Sequence, residues 1–77
     1  MIKKLTQKFE DKMQGNGIIN FNQTDKTGEI EAIDYIGGKT ALEFMNENGL
    51  QQTSGKCHEE ETCDGESYLV YTYTFNF

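Results

Sequence analysis

The chain has no arginine, no proline, a single histidine, two cysteines and no long apolar run. Each shortage removes a class of function. Arginine is the usual side chain for bidentate recognition of phosphate. A chain that lacks it and carries a net charge of −6 is poorly suited to hold DNA or RNA. No direct DNA binding is expected. A membrane-spanning helix needs ~20 consecutive apolar residues, and no stretch approaches that, so no membrane contact is expected. The opening "MIKKLTQKFEDKMQ" has lysines but none of the apolar core that a secretory signal requires. The expected location is cytoplasmic, in a producing or an infected bacterial cell. In that reducing setting Cys57 and Cys63 are expected as thiols. With 77 residues and no proline-marked boundary, the chain reads as one small domain, 1–77.

The charges are unevenly placed. Residues 1–14 carry Lys3, Lys4, Lys8 and Lys12 against Glu10 and Asp11, a net of +2; residues 15–77 carry three lysines against eleven acids, a net of −8. A partner with a basic surface suits such a chain better than an acidic one. The densest cluster is "CHEEETCDGE" at 57–66, expected to be the long loop of a hairpin. Cys57, His58 and Cys63 are ligand types that zinc prefers. No C-x-x-C accompanies them, however, and neighbours on an extended chain point apart. A Cys57–Cys63 bridge is conceivable across a hairpin mouth, though disfavoured in the cytosol. Nor do Cys57 and His58 suggest a nucleophile and its base, which generally come from separate segments. The "YIGGKT" stretch would need glycine at position 33 to form a phosphate loop, and that residue is Ile33. No catalytic residue, metal or cofactor is therefore expected, and the protein reads as a non-enzyme.

What remains is the charge itself. Glu59, Glu60, Glu61, Asp64 and Glu66, with Tyr68 beside them, form the candidate partner-binding surface. Acidic runs most often serve only to keep a small protein in solution. The functional alternative is attraction to a lysine- and arginine-lined groove, fast at low salt and weakened by screening. Asp25, Glu29, Glu31 and Asp34 could extend the field.

Hydrophobic periodicity outlines the fold. Ile2, Leu5, Phe9 and Met13 recur at helical spacing, and Gly15 follows as a C-terminal stop. A strand is the competing reading of 2–14. Short strands are expected at 18–21 and 29–36, separated by the polar turn "NQTDKTG". Gly37 and Gly38 then read as a bend, and Thr40 with Glu43 as a capping box opening a helix near 41–48. A weak strand at 50–56 precedes the clearest one, "SYLVYTYTFNF" at 67–77, in which large apolar side chains alternate. The expected class is α+β: an antiparallel sheet of about four strands with one or two helices packed on one face. Its core should use Leu5, Phe9, Ile19, Phe21, Ile30, Leu42, Met45, Leu69, Tyr71, Tyr73 and Phe75.

Two resemblances follow. "ALEFMNENGL" with "SYLVYTYTF" resembles small bacterial domains of unknown function that have a helix of the form A-L-x-x-M-x-x-x-G-W. Ala41, Leu42, Met45 and Gly49 fit, and Leu50 replaces the tryptophan. That likeness implies a helix on an antiparallel sheet, no catalytic residue, and a strand at the N-terminus. As a short acidic domain without catalytic motifs, the chain also resembles phage inhibitors of host nucleases, the anti-CRISPR proteins. This likeness implies non-catalytic inhibition by contact with a basic, nucleic-acid-binding protein surface. The alternatives are a housekeeping or self-associating domain, as monomer or homodimer, and a minor zinc-binding module on Cys57, His58 and Cys63.

Overall fold

Leu5, Phe9 and Met13 form one buried stripe on α1 (Ile2–Met13), with lysines and acids on its other faces. Gln14 and Gly15, at φ 49° and 87°, end the helix in a left-handed turn. The helical reading of this segment holds, and the N-terminal strand implied by the first resemblance is not present. The computed structural model describes residues 2–77. After α1 come β1 (Gly17–Asn22), β2 (Thr27–Ile33), α2 (Asp34–Glu47), β3 (Gln51–Glu61) and β4 (Ser67–Asn76). The four strands form one antiparallel sheet in the order β1-β2-β4-β3. The fold is thus α+β, with both helices on one face. No helix among the described residues is long and apolar enough to cross a membrane.

Strand alternation decides which side chains meet the helices. Ile30 and Ala32 of β2 and Tyr73 and Phe75 of β4 are buried beneath them, with Ile19 and Phe21 packed against the edge of that core. Phe9 and Phe44 join the two helices edge to face, 5.2 Å between ring centroids. At the rim Lys12 Nζ reaches Glu47 at 3.1 Å and Glu43 at 3.9 Å. Such part-exposed pairs contribute only ~0–1 kcal/mol.

The start of α2 differs from the sequence expectation. The helix begins at Asp34, so β2 stops at Ile33 rather than running to residue 36. Thr40 caps nothing: its hydroxyl donates to the Ile36 carbonyl at 2.8 Å, inside the helix. Gly37 and Gly38 do not form a bend but are buried near the start of α2. Their missing side chains let α2 lie close to the sheet; a Cβ on Gly38 would stand 2.8 Å from the Tyr71 ring. That approach fixes the buried stripe as Gly37, Gly38, Ala41, Phe44 and Met45. Leu42, expected in the core, is rotated off the stripe and is 40 % exposed. Leu69 is 38 % exposed as well, because it lies beyond the end of β2.

Candidate functional site: an acidic two-stranded arm

β2 pairs with β4 only as far as Ile33 opposite Val70. Beyond that point Ser67–Leu69 pair with Glu59–Glu61 alone. The sheet therefore narrows from four strands to a two-stranded arm. At ~3.3 Å per residue the eleven residues of β3 span about 36 Å, close to the molecule's longest dimension of 39 Å. A turn over 62–66 closes the arm. The Thr62 amide donates to the Glu66 carbonyl at 2.8 Å, and the Gly65 amide to the Thr62 carbonyl at 3.1 Å.

"CHEEETCDGE" is accordingly not one loop. Cys57–Glu61 are strand, and the turn holds only the remainder. Every residue of β3 is exposed, so no buried face writes an apolar alternation into its sequence. The strand exists because β4 supplies hydrogen-bonding partners for it.

The pleat sorts the charges. Residues directly opposite one another share a face. Cys57 stands opposite Tyr71 and Glu59 opposite Leu69, which puts Cys57, Glu59 and Glu61 on the helix side. His58, opposite Val70, and Glu60, opposite Tyr68, lie on the outer side with Lys56. Asp64 and Glu66 occupy the turn. The five candidate acids thus surround the arm instead of forming one patch, and no lysine follows Lys56 in the sequence. Of the other acids, Glu29 and Glu31 share the outer face, opposite Thr74 and Thr72, whereas Asp25 sits in the β1–β2 turn and Asp34 at the start of α2.

The same sorting separates the candidate zinc ligands. Cys57 and His58 take opposite faces and Cys63 is in the turn. Among the described residues no group of three or more His, Cys, Asp or Glu side chains is placed to hold a metal. The conceivable Cys57–Cys63 bridge is not formed. Both thiols are free and exposed. The strand carries the chain about 13 Å between residues 57 and 61, and Thr62 still bonds across to Glu66 before the turn, which leaves residue 63 beyond the ~7 Å between Cα atoms that a disulfide tolerates.

Glu60 has the most structured surroundings on the arm. Its Oε1 lies 3.0 Å from His58 Nε2, and its Oε2 accepts the Tyr68 hydroxyl at 3.0 Å. The bond to His58, then that to Tyr68, holds its carboxyl below the ordinary value of 4.5. The carboxylate in turn raises the Tyr68 phenol above its ordinary value of 10. Tyr68, a candidate partner-binding residue, is thus oriented by an acid on the arm's outer side. Chemically the arm offers carboxylate acceptors to cations.

Two exposed apolar side chains at the start of α2 were not singled out by sequence reasoning, and two more, Leu42 and Leu69, were read as core. Tyr35 and Ile36 are 68 % and 74 % exposed at the start of α2. Only the true start of α2 reveals Tyr35 and Ile36, which on a strand would have pointed to opposite faces of the sheet. Neither protein-family models, curated proteins nor solved structures yield a match to this chain.

Proposed function

We propose that this protein is a non-catalytic inhibitor whose acidic arm binds the basic surface of a nucleic-acid-processing enzyme. One observation carries the reading: Glu59, Glu60, Glu61, Asp64 and Glu66 all sit on or beside a narrow two-stranded projection with no lysine among them. A groove lined by lysine and arginine to hold a phosphate backbone attracts such a projection by the same charge. Attraction of this kind speeds encounter, and salt screens it. The likeness to anti-CRISPR inhibitors points the same way, and a cytoplasmic location belongs to the same reading.

The test is recovery of the partner. Tagged protein is incubated with native lysate at low and moderate salt, beside a variant with the three glutamates and Glu66 changed to Gln and Asp64 to Asn. The expected result is a nucleic-acid-binding enzyme that is held by the natural chain, elutes as salt rises and is missed by the variant. Equal retention by both proteins, with the same salt response, would refute the reading. A second reading, self-association, is favoured by the free edges of β1 and β3. Light scattering across a concentration series separates it, since a constant monomer mass removes it.

A further inference from the structure

β3 lies at the end of the sheet order, so one side of it pairs with β4 and the other is an edge. A free edge is a row of amide and carbonyl groups able to template another strand. The irregularity between Gln52 and Ser54 disturbs the near end. Regular pairing geometry runs from Ser54 to Glu61, eight residues, all exposed. Edges are commonly protected by burial under a helix or loop, but α2 packs on β2 and β4 and leaves β3 open on its helix side.

The side chains along this edge select what could pair with it. Glu59, Glu60 and Glu61 alternate across both faces, so each of three successive residues of an added strand would meet an acid. Lys56 stands on the outer face at the other end of the stretch. Between them, on the helix side, Gly55 and Cys57 lie next to Tyr73 and Tyr71. Tyr71 is flanked by Gly38 of α2. Leu42, one turn beyond Gly38, and Tyr35, two turns before Leu42, lie on that flank of α2, away from the Lys12 contacts to Glu43 and Glu47. A helix-side residue of an added strand would therefore meet an aromatic and apolar shelf.

We infer that the β3 edge between Ser54 and Glu61 takes up an extended, lysine- or arginine-bearing segment of the partner protein as a fifth, antiparallel strand. The inference rests on the proposed function and specifies how the partner is held. Backbone hydrogen bonds supply affinity, and the alternate side chains supply selection. Basic residues at the start of the segment meet Glu61, Glu60 and Glu59 in turn. A second copy of this chain fits the edge less well, because it brings another net charge of −6. The acids that discourage self-pairing are the ones that favour a segment of opposite sign.

The probe is an acetylated, amidated and fluorescently labelled eight-residue peptide: three lysines, then valine, threonine, glutamate, valine and threonine. Antiparallel pairing sets its lysines against Glu61, Glu60 and Glu59 and its glutamate against Lys56. Two further peptides carry N-methyl groups on alternate backbone nitrogens, one on the odd and one on the even positions, so that only one set blocks the edge facing β3. Binding is followed by fluorescence anisotropy, and protection of the β3 amides by hydrogen exchange. The parent peptide is expected to bind and to protect alternate amides of 54–61. One methylated peptide should lose at least about tenfold in affinity, the effect of deleting two or more hydrogen bonds, while the other keeps it. The five-acid variant should lose at least as much. If both methylated peptides bind like the parent and the five-acid variant does not, strand addition is refuted while the acidic-surface function stands. If one methylated peptide fails but the five-acid variant binds normally, selection by charge is refuted, and the proposed function with it. Absence of peptide binding also overturns the inference; protected β3 amides in a sedimenting dimer would then assign the edge to a second copy.

Discussion

The adjacent glycines of α2 provide a sharp test of the fold, because alanine at each should act in opposite directions. Alanine is favoured over glycine in a helix interior by ~0.8–1 kcal/mol. At Gly37 an added Cβ would lie 3.4 Å from the Asn16 carbonyl oxygen and 3.7 Å from the Ala32 Cβ, ordinary contacts in a buried site. Gly37→Ala should therefore stabilise the protein by up to about 1 kcal/mol. At Gly38 the Cβ would lie 2.8 Å from two carbons of the Tyr71 ring and 3.2 Å from a third. Restoring a separation of ~3.5 Å requires the ring to move by roughly 0.7 Å. Tyr71 is stacked on Tyr73 at 6.3 Å between centroids and stands opposite Cys57, so it has limited room. Overpacking of this kind costs ~1–3 kcal/mol, which outweighs the helical gain. Gly38→Ala should thus fall about 2 kcal/mol below Gly37→Ala, or about 8–16 °C in Tm for a domain of this size. Urea titration followed by circular dichroism measures both. Equal stabilities would refute the close packing of α2 on Tyr71. A Tyr71→Ala background should remove the difference, since the two sites are in contact.

Other perturbations read other parts of the structure. Thr40→Ala should change stability by less than about 0.5 kcal/mol, because the hydroxyl only bonds back within the helix; a loss of about 1 kcal/mol or more in urea titration would restore the capping role. Lys26 holds φ 56° in the β1–β2 turn, so Lys26→Gly should stabilise by about 0.5–1 kcal/mol in the same assay, and a loss would contradict that backbone. Glu60 has a lowered carboxyl pKa, so its contribution to stability is present above the ordinary 4.5 and disappears as pH falls through the folded value. Tyr68→Phe should move that folded value up toward 4.5 in an NMR titration of the carboxyl carbon, and no movement would exclude the Tyr68 bond. Tyr71 and Tyr73 have phenols raised first of all by burial; the stability they add is present below the ordinary value of 10 and is lost as pH rises through their folded values. Unfolding followed by circular dichroism should therefore accompany the delayed appearance of their tyrosinate absorbance, and full ionisation of Tyr71 and Tyr73 near pH 10 in a folded chain would contradict it.

The elements legible in the sequence are those with one buried and one exposed side. Leu5, Phe9 and Met13 mark α1, and Tyr73 with Phe75 marks β4, because burial on one face imposes the period. α2 was legible only in its second half. "DYIGG" has two glycines and an isoleucine, poor helix formers, and its helical state depends on contact with Ala32 and Tyr71 that no local pattern announces. Misplacing the helix start also misplaced its buried stripe, which is why Leu42 read as core and Tyr35 went unnoticed. β3 was legible only in its first half, 51–56, for the opposite reason. A strand with neither face buried carries no alternation, and its acids and glycine then look like loop. The acids of the candidate site were found from composition alone. Their division between the two sides of the arm follows from the register with β4, which composition does not contain.

That division connects the fold to the charge asymmetry of the chain. The sheet order sets β1 and β3 at opposite edges. α1 packs beside β1 and presents Lys3, Lys4 and Lys8 to solvent, while the acids of the arm flank the far edge. Three lysines of α1 and the five acids of the arm are thereby set at opposite edges of the sheet, while Glu43 and Glu47 of α2 pair with Lys12 of α1. An approaching basic surface would feel more than a net charge: the field turns the arm toward it and α1 away. Such orientation acts on the rate of encounter and fades with salt, whereas contacts made after docking govern the rate of escape. Acids in a mobile tail would attract a basic surface equally well but would not present it with a strand edge. Under the proposed function, acids held on β3 would bring the partner to the backbone groups of the strand edge and to the flank of Tyr71, and the step that captures and the step that retains would fall at one place on the fold.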